Sequence, residues 1–404
     1  MGIKNLHKLL EKYSKDCYKP KHLSEYSYRK VAIDISLYLY KYKAIAGNRW
    51  VESFINLVNS LRKHDIHCVF VYDGQAPIEK LEEQKRRRDS RENQSKKIVE
   101  LERQINDFEK HGIIGSLIEE LCENKVTSLF RQQVIKNYNI NLAKVKLETM
   151  KSMLISISPE DVQLTKDLFD VMKIPYIQAP QEAENFCSHL CVYGKVDFVL
   201  SEDTDVIAYG SPIFLTKIDT LNDTVVEISY DKILEGTSMT RETFTDLCIM
   251  CECDYNSNIY LIGPEKSYNL LKAYENIETV LNHLKTLKNK DGTSKYTDDM
   301  FLPLKYKRCR EMFKIEESCV KDIYIPYCDI PDFNDIRDFF FTHSIRYNIE
   351  KLKKNCTREI IFDYNESYES NELKSNDEPD DVYEPYESND TNDTNETDDK
   401  IEFR

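Results

Sequence analysis

Three short runs of apolar, largely β-branched residues give the clearest pattern in the chain, and each run ends in an acidic residue. The runs cover residues 30–34, 67–73 and 196–203, and helical periodicity occupies 36–46, 51–63 and 181–193. Short apolar runs that alternate with helices are typical of strands buried on both faces of a parallel sheet. We therefore predict an α/β fold in which a central, mostly parallel sheet is flanked by helices.

The remaining segments have helical patterns. Residues 79–150 are charged and nearly free of Gly and Pro, which predicts long helices joined near Gly112. A capping Ser and a Pro in the first turn open a further helix over 158–173. Residues 240–289 have the pattern of a short helical bundle that is broken at 255–264.

Composition changes this picture mainly at the carboxyl end. The formal net charge is −15, but residues 365–404 carry 15 acidic and three basic side chains, which gives −12 for this tail and −3 for the rest. The tail is rich in Asn, Asp, Glu, Ser and Thr and poor in aliphatic residues, so we expect it to be disordered. An acidic total does not exclude a nucleic-acid partner, because a local basic patch is enough to bind one.

No apolar run reaches the length of a transmembrane helix, and the first residues lack the apolar core of a signal peptide. We therefore expect no membrane partner and a reducing compartment. The 12 cysteines are then expected to be free thiols rather than a disulfide framework. We also expect a monomer.

Acidic side chains gather where the predicted strands end. Asp34, Asp73 and Asp203 each close a run, and open parallel sheets bind ligands outside the carboxyl ends of their strands. Taken singly, an Asp in this position is more often a helix cap or a turn residue. Four further acids belong to the same pattern, namely Glu182, Glu184, Asp205 and Asp254. Seven acids in one cleft would repel one another, which favours a site for hard divalent cations such as Mg²⁺.

Several motifs around these acids can be recognised. They are Met1–Leu6, Val31–Asp34 with Ser36 and Tyr40, Val71–Pro77, Ala179–Glu184, Ser201–Asp205, and Asp254–Tyr255 with Ile262–Pro264. Together they resemble the flap-endonuclease/XPG family of structure-specific 5′ nucleases over roughly residues 1–350. The resemblance implies a PIN-like nuclease core at 1–95 and 156–350, a helical arch at 96–155, and a DNA-binding helix–turn–helix module at about 244–274, ahead of the tail at 365–404.

The resemblance also implies the chemistry. The seven carboxylates would hold two Mg²⁺ ions for hydrolysis of DNA phosphodiesters, leaving a 5′-phosphate. Lys80 and Arg87 match the basic pair that reaches the scissile phosphate, and seven residues of separation place them on one face of a helix. Further DNA contacts are expected from Gly2, Tyr40, Arg86, Arg88, Gly263 and Lys266. Of these, we expect Arg86 and Arg88 to point away from the cleft.

Two details depart from the family pattern. Leu261 stands where the family usually has Gly, two residues before Gly263, which puts the potassium ion of this module in question. Residues 333–340 have the Ile and aromatic pair of a sliding-clamp-binding peptide, but Phe333 replaces the usual Gln. We favour a helix that packs its apolar face on the core.

Three functions remain open from the sequence. They are a 5′-flap endonuclease, a 5′→3′ exonuclease of the same family, and a non-catalytic scaffold that binds junction DNA. The expected partners are DNA flaps, nicks, gaps or ends in replication and repair. The expected location is the nucleus, or a viral replication site if the source is a large DNA virus.

Overall fold

The structure is a computed structural model that describes residues 2–122 and 140–356. The tail at 365–404 and the middle of the predicted arch lie outside these residues. Residues 1–358 form one compact unit. No helix in the described ranges is both long enough and apolar enough to span a membrane.

One mixed sheet contains the seven strands found in the described residues. They are β1 (Tyr18–His22), β2 (Lys30–Asp34), β3 (His67–Tyr72), β4 (Tyr176–Gln178), β5 (Phe198–Leu200), β6 (Ile213–Asp219) and β7 (Thr224–Ser229). The spatial order is β1-β7-β6-β5-β2-β3-β4. Neighbours from β6 to β4 are parallel, whereas β7 is antiparallel to both β6 and β1. The predicted sheet is confirmed, and the three apolar runs form its adjacent strands β5, β2 and β3.

Helices flank this sheet. They are α1 (Leu6–Tyr13), α2 (Ile35–Ala46), α3 (Trp50–Lys63), α4 (Leu81–His111), α5 (Ser116–Cys122), α6 (Ile140–Met153), α7 (Pro159–Val171), α8 (Ala183–Val192), α9 (Asp205–Ala208), α10 (Tyr230–Thr237), α11 (Arg241–Met250), α12 (Pro264–Tyr274), α13 (Ile277–Thr286), α14 (Tyr306–Met312), α15 (Phe333–Thr342) and α16 (Ile349–Cys356).

The two faces of the sheet are buried in two separate cores. Successive strand residues point to opposite faces. Val31 and Ile33 of β2 therefore pack in the core that contains α2, α3, α7 and α15, whereas Ala32 packs in the core that contains α1, α8, α10 and α11. Burial on both faces explains why these strands read as continuous apolar runs.

The helix that precedes β5 begins later than the sequence predicts. Glu182 has extended backbone angles, φ −85° and ψ 139°, so it is the N-cap residue and α8 starts at Ala183. The helix predicted over 158–173 is confirmed as α7, with the Asp161 N–H donating to Ser158 Oγ at 3.2 Å.

The apolar side of α15 is buried, as the core interpretation of residues 333–340 predicts. Ile336 is 0% exposed, and Phe339 and Phe340 are also buried in the core of the sheet. The aromatic pair that a sliding clamp would bind is therefore packed inside the core of the protein.

A third, smaller core lies in the predicted arch. Apolar side chains of α4, α5 and α6 pack on one another there: Ile98, Leu101, Ile105, Ile118, Ala143 and Leu147. The helix break predicted near Gly112 is confirmed, because Gly112 ends α4 with φ 67°, a left-handed conformation that suits Gly.

Candidate active site at the carboxyl edge of the sheet

Two carboxylates are fixed by the loops that follow β2 and β3. Asp34 is the last residue of β2 and caps α2, accepting from the Ser36 N–H at 2.9 Å. Asp73 follows β3 and accepts from the Ala183 N–H at 2.9 Å and from the Ser36 hydroxyl. These bonds tie the ends of both strands to the start of α8, as the topology of a parallel sheet predicts.

Three further carboxylates form the buried centre of the site. Glu184, Asp203 and Asp205 each offer an oxygen within 4.8 Å of the others. Asp205 is 0% exposed, and neither of its oxygens accepts a hydrogen bond from the described residues; Oε1 of Glu184 also accepts none, although it lies 3.5 Å from Lys80 Nζ. Unpaired buried carboxylate oxygens are costly, so these groups require a cation or a proton.

Burial and mutual repulsion raise the pKa values of four carboxyl groups in the cluster. Burial raises the pKa of Glu184, Asp203 and Asp205 above the usual carboxyl range. Burial, with the nearby charge of Asp73, raises the pKa of Asp34 to about 8. Without positive charge, the chain disfavours ionisation of these groups.

Lys80 and Arg87 bring positive charge to the same site. Lys80 lies in a 3₁₀ turn just before α4, and its Nζ contacts Glu182 and lies 3.2 Å from Asp254 Oδ2. Arg87 donates through NH2 to both oxygens of Asp254, at 2.9 and 2.8 Å. Burial lowers the pKa of Lys80, but the carboxylates outweigh that effect and hold it above its usual range. The structure thus brings both predicted cations onto the seven-acid cluster.

An open cavity of about 690 Å³ gives access to this cluster. Its wall includes Tyr40, Arg88 and Arg91, with the Arg91 guanidinium 5.3 Å from the centre of the Tyr40 ring. The expectation that Arg88 points away is therefore wrong, because it lines the same cavity as Arg87. Arg86 does point elsewhere: it pairs with Glu83 and lines a separate groove.

Two glycines are needed where the backbone approaches the cluster. Gly2 has φ 86°, and a side chain there would collide with the Asp203 carboxylate and the Thr204 hydroxyl. A side chain at Gly74 would collide with the carbonyl oxygens of Ala179 and Pro180. Gly2 therefore packs against the carboxylate site, a role that its assignment as a DNA contact did not include.

The turn between α11 and α12 holds the remaining predicted DNA contacts. Gly263 is the N-cap residue of α12, and Lys266 is exposed in its first turn. Lys266 Nζ donates to the Leu261 carbonyl at 2.8 Å. A potassium ion at that carbonyl would compete with the ammonium group, and we derive no step from such an ion.

Two tyrosines for which the sequence analysis predicted no role form hydrogen bonds at the site. The Tyr255 hydroxyl donates to Glu182, and the hydroxyls of Tyr255 and Tyr209 lie 2.9 Å apart. This chain of bonds orients Glu182 toward Lys80. In the sequence, the only indication of this role is that Tyr255 directly follows Asp254. The residue that Tyr255 binds, Glu182, is 73 residues away.

The donor set fits Mg²⁺. The cluster offers only oxygen ligands, several of them buried and unpaired, and Asp73 is exposed to the cavity and to water. Magnesium prefers a few carboxylates together with water molecules. The residues that would hold such ions are Asp34, Asp73, Glu182, Glu184, Asp203, Asp205 and Asp254.

Comparisons with known proteins agree with this geometry. Residues 1–94 match the family model of the XPG N-terminal domain, and residues 173–254 match that of the XPG I-region; together the two segments contain all seven carboxylates. The chain is 31% identical to the probable RAD2-like endonuclease 369L of Invertebrate iridescent virus 6, over 93% of this chain and 97% of that protein. It is 27% identical to flap endonuclease 1 of Scheffersomyces stipitis, over 88% of each chain.

Solved structures show the same fold. The catalytic core of Rad2 in complex with DNA substrate superposes with a TM-score of 0.58 at 17% identity, over 88% of this chain and 98% of that one.

Proposed function

The chain belongs to the flap-endonuclease/XPG family of structure-specific nucleases, and from this premise we propose that it cleaves DNA at 5′ flaps by Mg²⁺-dependent hydrolysis. The observation that carries the proposal is that six of the seven carboxylates line one cavity together with Lys80 and Arg87, while the seventh, Asp205, is buried with an oxygen within 4.8 Å of oxygens of Glu184 and Asp203. All seven acids are present, which argues against a purely structural DNA-binding protein.

The residues at the cavity would have different roles in hydrolysis. Divalent ions held by the carboxylates would supply a water of lowered pKa and neutralise charge on the leaving oxygen. Lys80 and Arg87 would turn from Asp254 to the scissile phosphate, where fixed cations stabilise transition-state charge. Tyr255 keeps Glu182 in place, and Ser36 orients both Asp34 and Asp73.

The walls of the cavity and the turn before α12 supply the proposed DNA contacts. Tyr40 is half-buried and faces the cavity, where its ring can stack on a base once Arg91 moves aside; such a stack contributes ~1–3 kcal/mol. Arg88 and Arg91 would hold the phosphate backbone beside it. Arg86, Gly263 and Lys266 are proposed as contacts to more distant duplex.

A role in DNA replication or repair follows from this activity. The viral relative, which is matched over almost its entire length, supports a viral replication site over the nucleus as the place of action. A 5′→3′ exonuclease remains the alternative activity. The size of the product released from a flap labelled at its 5′ end separates the two, because an exonuclease releases the label on a mononucleotide or very short fragment, whereas a flap endonuclease releases the whole flap as one oligonucleotide.

The Asp203→Asn variant tests the proposed site. We expect cleavage of a labelled 5′-flap DNA to be abolished, because the cluster loses a ligand, while binding persists or improves because repulsion against phosphate falls. Wild-type protein in EDTA should behave in the same way. Asp338→Asn, which changes an exposed carboxylate on α15, is the matched control. Near-normal turnover of Asp203→Asn at saturating Mg²⁺ would refute the assignment, and DNA binding without any Mg²⁺-dependent cleavage by the wild type would establish the scaffold instead.

A further inference from the structure

Three metal-ligating side chains from separate elements meet at a second place in the molecule. His22 is the last residue of β1, His64 caps the end of α3, and Asp223 lies in the turn between β6 and β7. One donor atom from each lies within 4.8 Å of the other two. The carboxylate cluster described above shares no residue with this group.

The spacing of the donors suits a tetrahedral ion. His64 Nε2 lies 3.2 Å from Asp223 Oδ2. Two ligand atoms of a tetrahedral zinc ion, each ~2.0 Å from the metal, are about 3.3 Å apart. Apart from this contact with Asp223, the buried His64 Nε2 has no hydrogen-bond partner in the described part of the chain. The carboxylate of Asp223 is therefore the group that this nitrogen faces.

Neighbouring hydroxyls support two of the three ligands. His22 Nδ1 accepts from the Ser24 backbone N–H at 3.3 Å and lies 2.8 Å from Ser24 Oγ, and Asp223 Oδ1 accepts from the Ser60 hydroxyl at 2.7 Å. Such outer partners fix the orientation of metal-binding imidazoles and carboxylates. Because His22 is exposed, water can reach this side of the group and complete the coordination.

Lys63 is the group that competes with a metal here. Its ammonium pairs with Asp223 Oδ2, and its side chain is 44% exposed, so it can turn into water. Because Asp223 Oδ1 accepts from Ser60, an ion would bind at Oδ2, where it would have to displace the Lys63 ammonium.

We propose that His22, His64 and Asp223 bind a Zn²⁺-type divalent transition-metal ion, with water as a further ligand. Two imidazoles and one carboxylate suit zinc and its neighbours, whereas Mg²⁺ prefers oxygen ligands alone. The ion would join the edge strand β1, the end of α3 and the β6–β7 turn, so its role is to stabilise the fold. The site is independent of the proposed nuclease activity.

Binding of Co²⁺, which occupies zinc sites and absorbs visible light, tests the proposal. The full chain is titrated with Co²⁺ in excess Mg²⁺, so that the all-oxygen cluster is occupied by Mg²⁺. We expect one equivalent of Co²⁺ to give the spectrum of a nitrogen-ligated ion, Zn²⁺ to displace it, and Zn²⁺ to raise the melting temperature. His22→Ala changes an exposed side chain and should lower Co²⁺ affinity at least ~100-fold, since loss of an outer partner alone costs ~10–100-fold.

Matched variants decide between this site and its alternatives. His343→Ala, another exposed histidine, and Asp203→Asn should leave the Co²⁺ spectrum unchanged. Lys63→Gln should tighten binding several-fold, because it removes a competing positive charge. The proposal is overturned if no nitrogen-ligated Co²⁺ spectrum appears, if His22→Ala and His64→Asn bind Co²⁺ like the wild type, or if Asp203→Asn abolishes the signal.

Discussion

Carboxylates that lie close together repel one another, and Lys80 and Arg87 supply positive charge that offsets this repulsion among the seven acids. Lys80 is the most enclosed cation of the site, with only 13% of its side chain exposed, and it reaches Glu182, Glu184 and Asp254. Arg87 is more exposed and binds Asp254 alone among the seven. The two cations therefore differ in how far they can leave the cluster to meet a phosphate.

Alanine substitution of Lys80 or Arg87 should reduce the rate of cleavage more than DNA binding. Losing a donor that acts in the transition state typically costs ~10²–10³ in kcat. Ground-state affinity should change little, because Arg88, Arg91 and other cations still hold the backbone. Single-turnover cleavage of a 5′-flap DNA, together with a binding titration, measures both effects.

Arg86→Ala is the matched control for these variants. Arg86 neighbours Arg87 on α4 but lines a different groove, and 73% of its side chain is exposed. Because Arg86 is proposed to contact only the more distant duplex, its loss should weaken DNA binding but leave the single-turnover rate on bound substrate near that of the wild type. If Lys80→Ala and Arg87→Ala cleave normally while Arg86→Ala does not, the assignment of the phosphate-binding pair is wrong.

At this scale the sequence predicts which acids cluster, but not every neighbour. Carboxylates at the ends of parallel strands converge by topology, so Asp34, Asp73 and Asp203 were predictable. Arg88 was placed on the wrong side, because helical period gives the angle between side chains and not the width of the cavity beside the helix. The His22–Asp223 proximity depends on strand pairing across about 200 residues, which no local pattern encodes.

At the scale of structural elements, the turn between α11 and α12 contains a residue with a strained backbone conformation. Leu261 stands where the family usually has Gly, and it adopts φ 62° with its side chain 58% exposed. A left-handed conformation costs a non-Gly residue ~1–2 kcal/mol. The position thus keeps the backbone conformation of Gly without the residue that prefers it.

Leu261→Gly should stabilise the protein by about 0.5–1 kcal/mol. Relief of the left-handed conformation is partly offset by the extra entropy of Gly in the unfolded chain, ~0.5–1 kcal/mol. Urea denaturation measures the difference. Leu261→Ala is the control, since it removes the exposed side chain but keeps the Cβ; an equal gain from Ala would contradict the argument.

The predicted arch, formed by α4, α5 and α6 in the described residues, is the second element whose behaviour follows from its packing. Its core is small and separate from the two cores of the sheet, so a defect there should open the arch alone. Leu101→Ala removes a side chain that is 0% exposed, a change that costs ~2–5 kcal/mol in a core. We expect faster amide hydrogen exchange in α4 beyond Ile98 and in α6, with β2 and β3 unchanged.

Val99→Ala gives the comparison for the arch, because Val99 lies on the same helix with its side chain 63% exposed. It should leave exchange in α6 unaltered. Faster exchange throughout the sheet in Leu101→Ala would show that the arch and the sheet unfold together.

Over the whole molecule, charge is distributed very unevenly. The first 364 residues have a net charge of −3, and Lys80, Arg87, Arg88 and Arg91 line the cavity beside the cluster of carboxylates. The last 40 residues add −12. The fold class was predictable at this scale, because strand runs and helical periods are local. The proximity of His22 and His64 to Asp223, and the bond from Tyr255 to Glu182, were not predictable, because these contacts join segments that are distant in the sequence.

Deleting residues 365–404 should leave stability and turnover almost unchanged and should raise DNA affinity at low salt. The segment has no hydrophobic pattern with which to join a core, and its −12 charge repels phosphate. Screening shortens the range of that repulsion from ~30 Å at 0.01 M salt to ~3 Å at 1 M, so the gain in affinity should fade as salt is added. A full-length variant with the tail acids replaced by Asn and Gln is the control, and it should bind like the truncated chain if charge is the cause. Melting temperature, turnover and a salt series of binding titrations measure the outcome, and a large loss of melting temperature on truncation would contradict it.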